Sequence, residues 1–420
     1  MKLETVQQII AMFSTSTARL QQIAIAVEDE ITNALAGRAS SLPMLPAYVP
    51  MPTGKERGTY VALDFGGTNM RVAKIRLNGN GQFTVLKKVS QPLQHAGLYN
   101  FTGKKTTATM LFDFIAELIG QVVLATDEDI LLGHTFSFAT DQTSLQDACL
   151  RRWTKEFSVT HMVGQPVNEL LRVALQRKGL SNVYPVALIN DTTGTLLAGL
   201  YKHANVRIGA IYATGFNACY VEMQDQGNPM IFNMECGFFD KLDRNIYDCQ
   251  LDQLSENPGG QRLEKMVSGR YLGTLLALCA EDVEGGGHES CTGAELSLLL
   301  RGGVMATAML SKKWHRRFTP VEMAQWCALA TAIVIRSARL SAGIYSGILG
   351  HLRPSVTEVI TNIAIDGAVY DNMPLVAVTV QQTLAELLGS AAANVEIFTE
   401  KDGSGLGAAL AAASVDQQRV

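Results

Sequence analysis

The chain has 420 residues, 47% hydrophobic and 18% charged, the composition of a globular protein with more length than one core usually serves. Its net charge of −4 gives no basic footprint for nucleic acid or an anionic membrane. Seven cysteines (Cys149, Cys219, Cys236, Cys249, Cys279, Cys291, Cys327), an odd number without a CxxC pair, argue against a disulfide framework or a zinc site and fit the reduced core of a cytoplasmic protein.

The N-terminus has no apolar h-region, so no signal peptide is expected, and the longest apolar run, Cys327 to Ile335, is too short to cross a bilayer. Residues 4 to 36 carry Val6, Ile9, Phe13, Leu20, Ile23, Val27 and Ile31 at largely helical spacing, which predicts one or two amphipathic helices. Pro43, Pro46, Pro50 and Pro52 then form a stiff connector, a candidate crossing between domains.

Tyr60 to Asp64 reads as a short apolar strand, Gly66 and Gly67 as a tight turn, and Met70 to Leu77 as a returning strand. Two glycines let the backbone approach a phosphate, and Thr68 and Asn69 add side-chain donors; an ordinary glycine hairpin would read the same way. Asp64 at the strand end is a candidate to hold Mg²⁺, directly or through water. A strand near Phe83 to Val89, a helix from Thr109 to Leu124, a buried strand from Ile130 to Phe138 and a helix from Val167 to Lys178 follow. Between the last two, Ser137, Thr154 and Lys155 lie beside aromatics, which suits a polyhydroxylated ligand or a solvated loop equally well.

Val186 to Ile189 is a buried strand ending in Asn190-Asp191, and the Thr/Gly run after it opens a helix whose first amides favour negative charge. Asp191 there is a candidate general base or a plain helix N-cap. Ile208 to Glu222 repeats the strand, Thr/Gly turn and returning strand of the first hairpin, with Gly215 and Asn217, after Thr214, spaced as Gly67 and Asn69 are. Two such hairpins imply two related halves offering turns to a phosphate chain across a cleft. Glu235 and Glu264 could accept from sugar hydroxyls, although surface glutamates are the commoner case. Glu322 to Leu352 reads as a long core helix, Val356 to Ile365 as a strand before Asp366-Gly367, and Asp402 to Gly407 as a glycine loop before an alanine-rich final helix. No Walker segment, GxGxxG or HExxH occurs.

In this order the islands LDFGGTNMR, TFSFATDQT with RRWTKEF, INDTTGT, ATGFNACYVEM, FNMECGFF, NPGGQRLEKMVSGRYLG, IDGAVY and DGSGLGAAL resemble the hexokinase family, including eukaryotic hexokinases and glucokinases. The resemblance runs from about Tyr60 to Ala413. It implies an α/β, actin-like ATPase (ribonuclease H-like) fold: a small domain of residues 58–187 plus 403–420, a large domain of 1–57 plus 188–402, and a deep cleft between them. It also implies ATP-dependent phosphorylation of a hexose, glucose first, at the 6-hydroxyl, by a cytoplasmic monomer or homodimer. Asp191 would be the catalytic base, with Lys155 beside it. Ser137, Thr154, Lys155, Asn190, Asn217, Glu235 and Glu264 would bind sugar. Gly66, Gly67, Thr68, Asn69, Arg71, Thr214 and Gly215 would hold ATP, Gly367 would lie near the adenosine, and Asp64 would orient Mg²⁺. A kinase for fructose, mannose or an amino sugar, or a catalytically weak hexose sensor, are the alternatives. Four positions depart from the family pattern: Ala139 for proline, Ala213 for glycine, Cys236 for tryptophan and Leu406 for a basic residue.

Overall fold

The computed structural model describes residues 3–153, 157–224, 227–352 and 361–417. Two mixed sheets organise the chain, and both have the same plan. In the first, Arg57–Phe65, Asn69–Gly79 and Gln82–Pro92 form an antiparallel meander, and Ile130–Phe136 and then Val183–Ile189 join Arg57–Phe65 in parallel. In the second, Val206–Tyr212, Phe216–Met223 and Pro229–Asn233 form the meander, and Thr361–Asp366 and Val395–Thr399 add in parallel. The repeated hairpin in the sequence is thus one corner of a repeated α/β unit. The proline connector contributes a short strand, Leu45–Pro46, paired with the far edge of the second sheet.

Helices Ala108–Gly120 and Val167–Arg177 cover one face of the first sheet, around Val61, Leu63, Phe65 and Leu132. The other face packs on helices Asp191–Lys202 and Gly403–Gln417, with Ala62, Ile189, Leu196 and Leu410 in that core. These two helices touch backbone to backbone: a Cβ on Gly194 would meet Ser404 Cα at 3.0 Å, and one on Gly407 would overlap the Gly194 backbone. Helix Asp191–Lys202 also packs on Val206–Tyr212 of the second sheet, so it links the two units.

The second unit's core is built on the 32-residue helix Pro320–His351, started by a capping box at Thr319 and Glu322 and a proline in its first turn. By length and composition it could cross a membrane, yet 67% of its most apolar window is buried inside the protein. Leu20, Ile23 and Val27 of Thr17–Leu35 pack in the same core, and Arg336, far from being a flank to an apolar run, forms a buried bidentate pair with Asp248 at 2.7 Å. The two N-terminal helices are Leu3–Met12 and Thr17–Leu35.

Several sequence boundaries move. The helix expected over 109–124 ends at Gly120, and the strand expected to reach Phe138 ends at Phe136, because Ala139–Gln142 and Ala148–Arg152 form a separate hairpin. The stretch Gly403 to Gly407, expected to be a loop, is the first turn of the last helix. Its small residues suit the close crossing with Gly194 and Thr195, a tertiary gain that outweighs the poor helix propensity of glycine.

Candidate active site

The strand-end motifs converge on one cleft of about 370 Å³. Both hairpin turns and the Asn190-Asp191 strand end line it. In both turns the carbonyls, which would repel an anion, are engaged by neighbouring backbone: Leu93 N–H donates to Thr68 O at 2.9 Å, and Gly269 and Arg270 N–H donate to Ala213 O at 2.9 Å and Thr214 O at 3.2 Å. Gly66, Gly67, Thr68, Asn69, Thr214 and Gly215 all line the cleft.

Asp64 sits where its strand meets the first turn. Thr135 Oγ1 donates to its Oδ1 at 2.8 Å and Arg71 Nη1 to its Oδ2 at 2.9 Å. Burial nevertheless pushes its pKa up against those two partners, and the Asp191 charge adds to the rise. Asp366, at the end of the parallel strand that pairs with Val206–Tyr212 in the second unit, is raised to about 7 by burial and then by the Asp64 charge. The sequence marked only the adjacent Gly367; the fold is what brings Asp366 into the same cleft as Asp64. Such mutual repulsion is what a divalent cation would relieve. Among the described residues no three His, Cys, Asp or Glu side chains form a metal shell of their own. One or two carboxylates, with the rest of the shell from water and phosphate oxygens, is the set Mg²⁺ accepts, so the residues present fit it.

Gly367 lines the same cleft at φ +139°, and a Cβ there would meet the Ala213 methyl at 2.9 Å. The nearer clash, with the Tyr212 carbonyl oxygen at 2.4 Å, requires glycine there whatever stands at 213, and the same glycine leaves room for the Ala213 methyl. Ala213 N–H closes its own turn on Gly215 O at 2.9 Å.

Other polar residues of the cleft suit a polyol. Asn190 is the helix N-cap, its Oδ1 accepting from Thr192 N–H at 3.0 Å and Thr192 Oγ1 at 2.7 Å. The capping role expected as the alternative for Asp191 belongs to its neighbour, and Asp191 lines the cleft. Ser137, Asn217, Glu235 and Glu264 line it as well. Thr154 and Lys155 lie outside the described residues.

Two amides that sequence reasoning passed over orient the glutamates: Asn233 Nδ2 donates to Glu235 Oε1 at 2.7 Å, and Gln261 Nε2 to Glu264 Oε2 at 2.8 Å. Glu235 and Gln261 are held in the left-handed region, at φ +52° and +50°. Non-glycine residues rarely adopt it, and such strain concentrates where side chains must be aimed. Arg152 and Phe238 also enter the cleft wall, the guanidinium 5.9 Å from the ring centroid. Cys236, where the family pattern has tryptophan, is fully buried behind Glu235, and burial raises its thiol pKa well above the usual value. Leu406 is buried against the first sheet outside this cleft.

Comparison with known proteins agrees with this geometry. Two family models, both described as hexokinase, match residues 5–201 and 207–414. Hexokinase-1 of Oryza sativa subsp. japonica is 33% identical over 473 residues, covering 99% of this chain and 93% of the relative. Hexokinase-1 of Arabidopsis thaliana is 36% identical over 449 residues, covering 96% and 89%. The solved structure of a hexokinase from Schistosoma mansoni complexed with glucose superposes with a TM-score of 0.85 at 29% identity, covering 98% of each chain. The chain belongs to the hexokinase family, enzymes that transfer a phosphoryl group from MgATP to a hexose.

Proposed function

We propose that this enzyme phosphorylates glucose at the 6-hydroxyl, in the cytoplasm, with Asp191 as general base. The observation that carries the reading is the single cleft that Asp191 lines together with Ser137, Asn217, Glu235 and Glu264 and with the two Thr/Gly turns. The relative from Schistosoma mansoni was solved with glucose, which favours that sugar among the hexoses. Domains of residues 58–187 plus 403–420 and 1–57 plus 188–402 would each carry one sheet, and the chain would act as a monomer or homodimer.

In this reading the hydroxyls and amides on one side of Asp191 fix the sugar. The Asp191 carboxylate accepts the 6-hydroxyl proton as that oxygen attacks the γ-phosphorus. Thr192 N–H, donating to Asp191 Oδ1 at 2.9 Å, holds the carboxylate in place. Amides and hydroxyls of Gly66 to Asn69, Thr214 and Gly215 bind the phosphates, and Lys155 adds a positive charge from the motif that follows Trp153. Asp64, with Asp366, would hold Mg²⁺ through water, and the ion supplies neutralisation of phosphate charge. Positioning and electrostatics do most of the catalysis in such transfers.

A coupled assay of ADP release across glucose, fructose, mannose and glucosamine tests this. Glucose is expected to give the highest kcat/KM, and Asp191→Asn to lose about 10²–10⁴-fold in kcat while still binding sugar. A variant retaining more than about a tenth of wild-type turnover would remove Asp191 from that role.

A further inference from the structure

The last helix packs on Arg57–Phe65, Ile130–Phe136 and Val183–Ile189 but leaves the outer strand Gln82–Pro92 largely exposed. At that uncovered corner lies a second cavity of about 190 Å³, which shares only Asp64 and Arg71 with the substrate cleft. Its floor is apolar: Ala62, Ala73, Ile75 and Leu406 are 8% exposed or less. Phe83 and Val85 form the outer wall, Val85 being 46% exposed. A cavity of about 150 Å³ lined by apolar groups accepts a benzene ring, so this one has room for one ring or a short branched chain.

The rim carries the opposite character. Arg71, Lys88, Lys202 and Lys401 line it, against the carboxylates of Asp64 and Asp402. Lys88 Nζ reaches Asp402 at 2.6 Å, and Lys202 lies 5.6 Å from the Phe83 ring centroid and pairs with Glu400. Lys401 has no carboxylate within ion-pair distance among the described residues. With Arg71 paired to Asp64, Lys88 to Asp402 and Lys202 to Glu400, Lys401 is the rim cation left without an ion pair among the described residues, and an apolar floor beside it is complementary to one class of ligand.

We propose that this cavity binds a small organic anion with a ring-sized apolar body, such as an aryl or branched-chain carboxylate, and that the anion modulates the enzyme through Arg71. Arg71 lines both this cavity and the substrate cleft, and its guanidinium is the ion-pair partner of Asp64. An anion in the cavity competes for that guanidinium and alters the charge balance at Asp64. None of Ser137, Asn190, Asn217, Glu235 and Glu264 lines this cavity.

The probe is 3-phenylpropanoate, with benzyl alcohol and inorganic phosphate as apolar-only and charge-only controls, read by ligand-observed NMR on the full chain. Phenylpropanoate is expected to bind more tightly than either control, to remain bound at saturating glucose and an ATP analogue, and to change the KM for ATP but not for sugar. Val85→Glu, which puts a negative charge on the exposed wall, and Ala73→Leu, which fills the floor, should each weaken binding by at least about tenfold. Equal binding by both variants and wild type, displacement of the probe by the ATP analogue, or a sugar KM that moves with the ATP KM would overturn the proposal. Because binding is read directly, it stands or falls separately from the identity of the sugar.

Discussion

Asn233 Nδ2 donates to Glu235 Oε1 at 2.7 Å, while Asn233 Oδ1 accepts from Asn217 Nδ2 at 2.8 Å. One buried amide therefore sets the aim of two groups assigned to the sugar. Asn233→Ala removes both bonds without adding charge or bulk. Hydrogen bonds to charged groups are worth roughly 1.5–3 kcal/mol, so the sugar KM should rise about tenfold or more, with the ATP KM unchanged. Steady-state kinetics in both substrates decides it: equal rises in both constants would mean a general loss of structure.

Leu406 is 3% exposed, in the first turn of the last helix and on the floor of the outer cavity. Leu406→Lys, restoring the basic residue of the family pattern, gives up the burial of a leucine side chain, although the longer chain can carry its ammonium to the cavity mouth. Urea unfolding should show a loss of up to roughly 1.5–3 kcal/mol with the sugar KM unchanged. Undiminished stability together with a lower ATP KM would instead show that the side chain reaches the nucleotide.

His134 is fully buried in the first sheet, stacked on Phe65 at 6.2 Å. Asn168 Nδ2 donates to Gln146 O at 2.7 Å, so its Oδ1 is the acceptor and His134 Nδ1 carries the proton, at 3.2 Å. Burial lowers the imidazole pKa to about 4, against an ordinary value of 6.5. Between those values the unfolded chain binds a proton that the folded chain does not, so stability falls as pH drops from about 6.5 to about 4. Each unit of difference is worth about 1.4 kcal/mol. His134→Asn should lose part of that pH dependence in urea titrations between pH 4 and 7. An unchanged slope would assign the acid sensitivity to other groups.

Trp153 donates from Nε1 to Val159 O at 2.8 Å and stacks on Phe157 at 5.2 Å, next to the Thr154-Lys155 pair assigned to the sugar. Trp314 and Trp326 lie edge to face at 5.1 Å in the core of the second unit. A sugar gripped from both units favours the closed arrangement by its differential affinity. Glucose alone should change Trp153 fluorescence and shrink the radius of gyration, and ATP alone should do less. If Trp153→Phe keeps the full signal, or scattering curves superimpose with and without saturating glucose, the site is preformed.

Local chemistry made much of this protein legible in its sequence. A strand, a small-residue turn and a returning strand specify a hairpin through backbone preferences alone, and that pattern occurs twice, after Phe65 and after Tyr212. Asn190-Asp191 before a Thr/Gly run likewise specifies a capped helix start. Tertiary structure decided what depends on distant partners. Asp366 looked like any strand-end residue until the parallel ladder set it beside Ile211, across the cleft from Asp64. Gly403 to Gly407 had the composition of a loop, and only the close crossing with Gly194 makes it helix. Leu406 became visible through the sheet face it covers. Turns and caps are governed by residues a few positions apart, whereas packing, charge clusters and cavities arise between segments hundreds of residues apart, which no local pattern records.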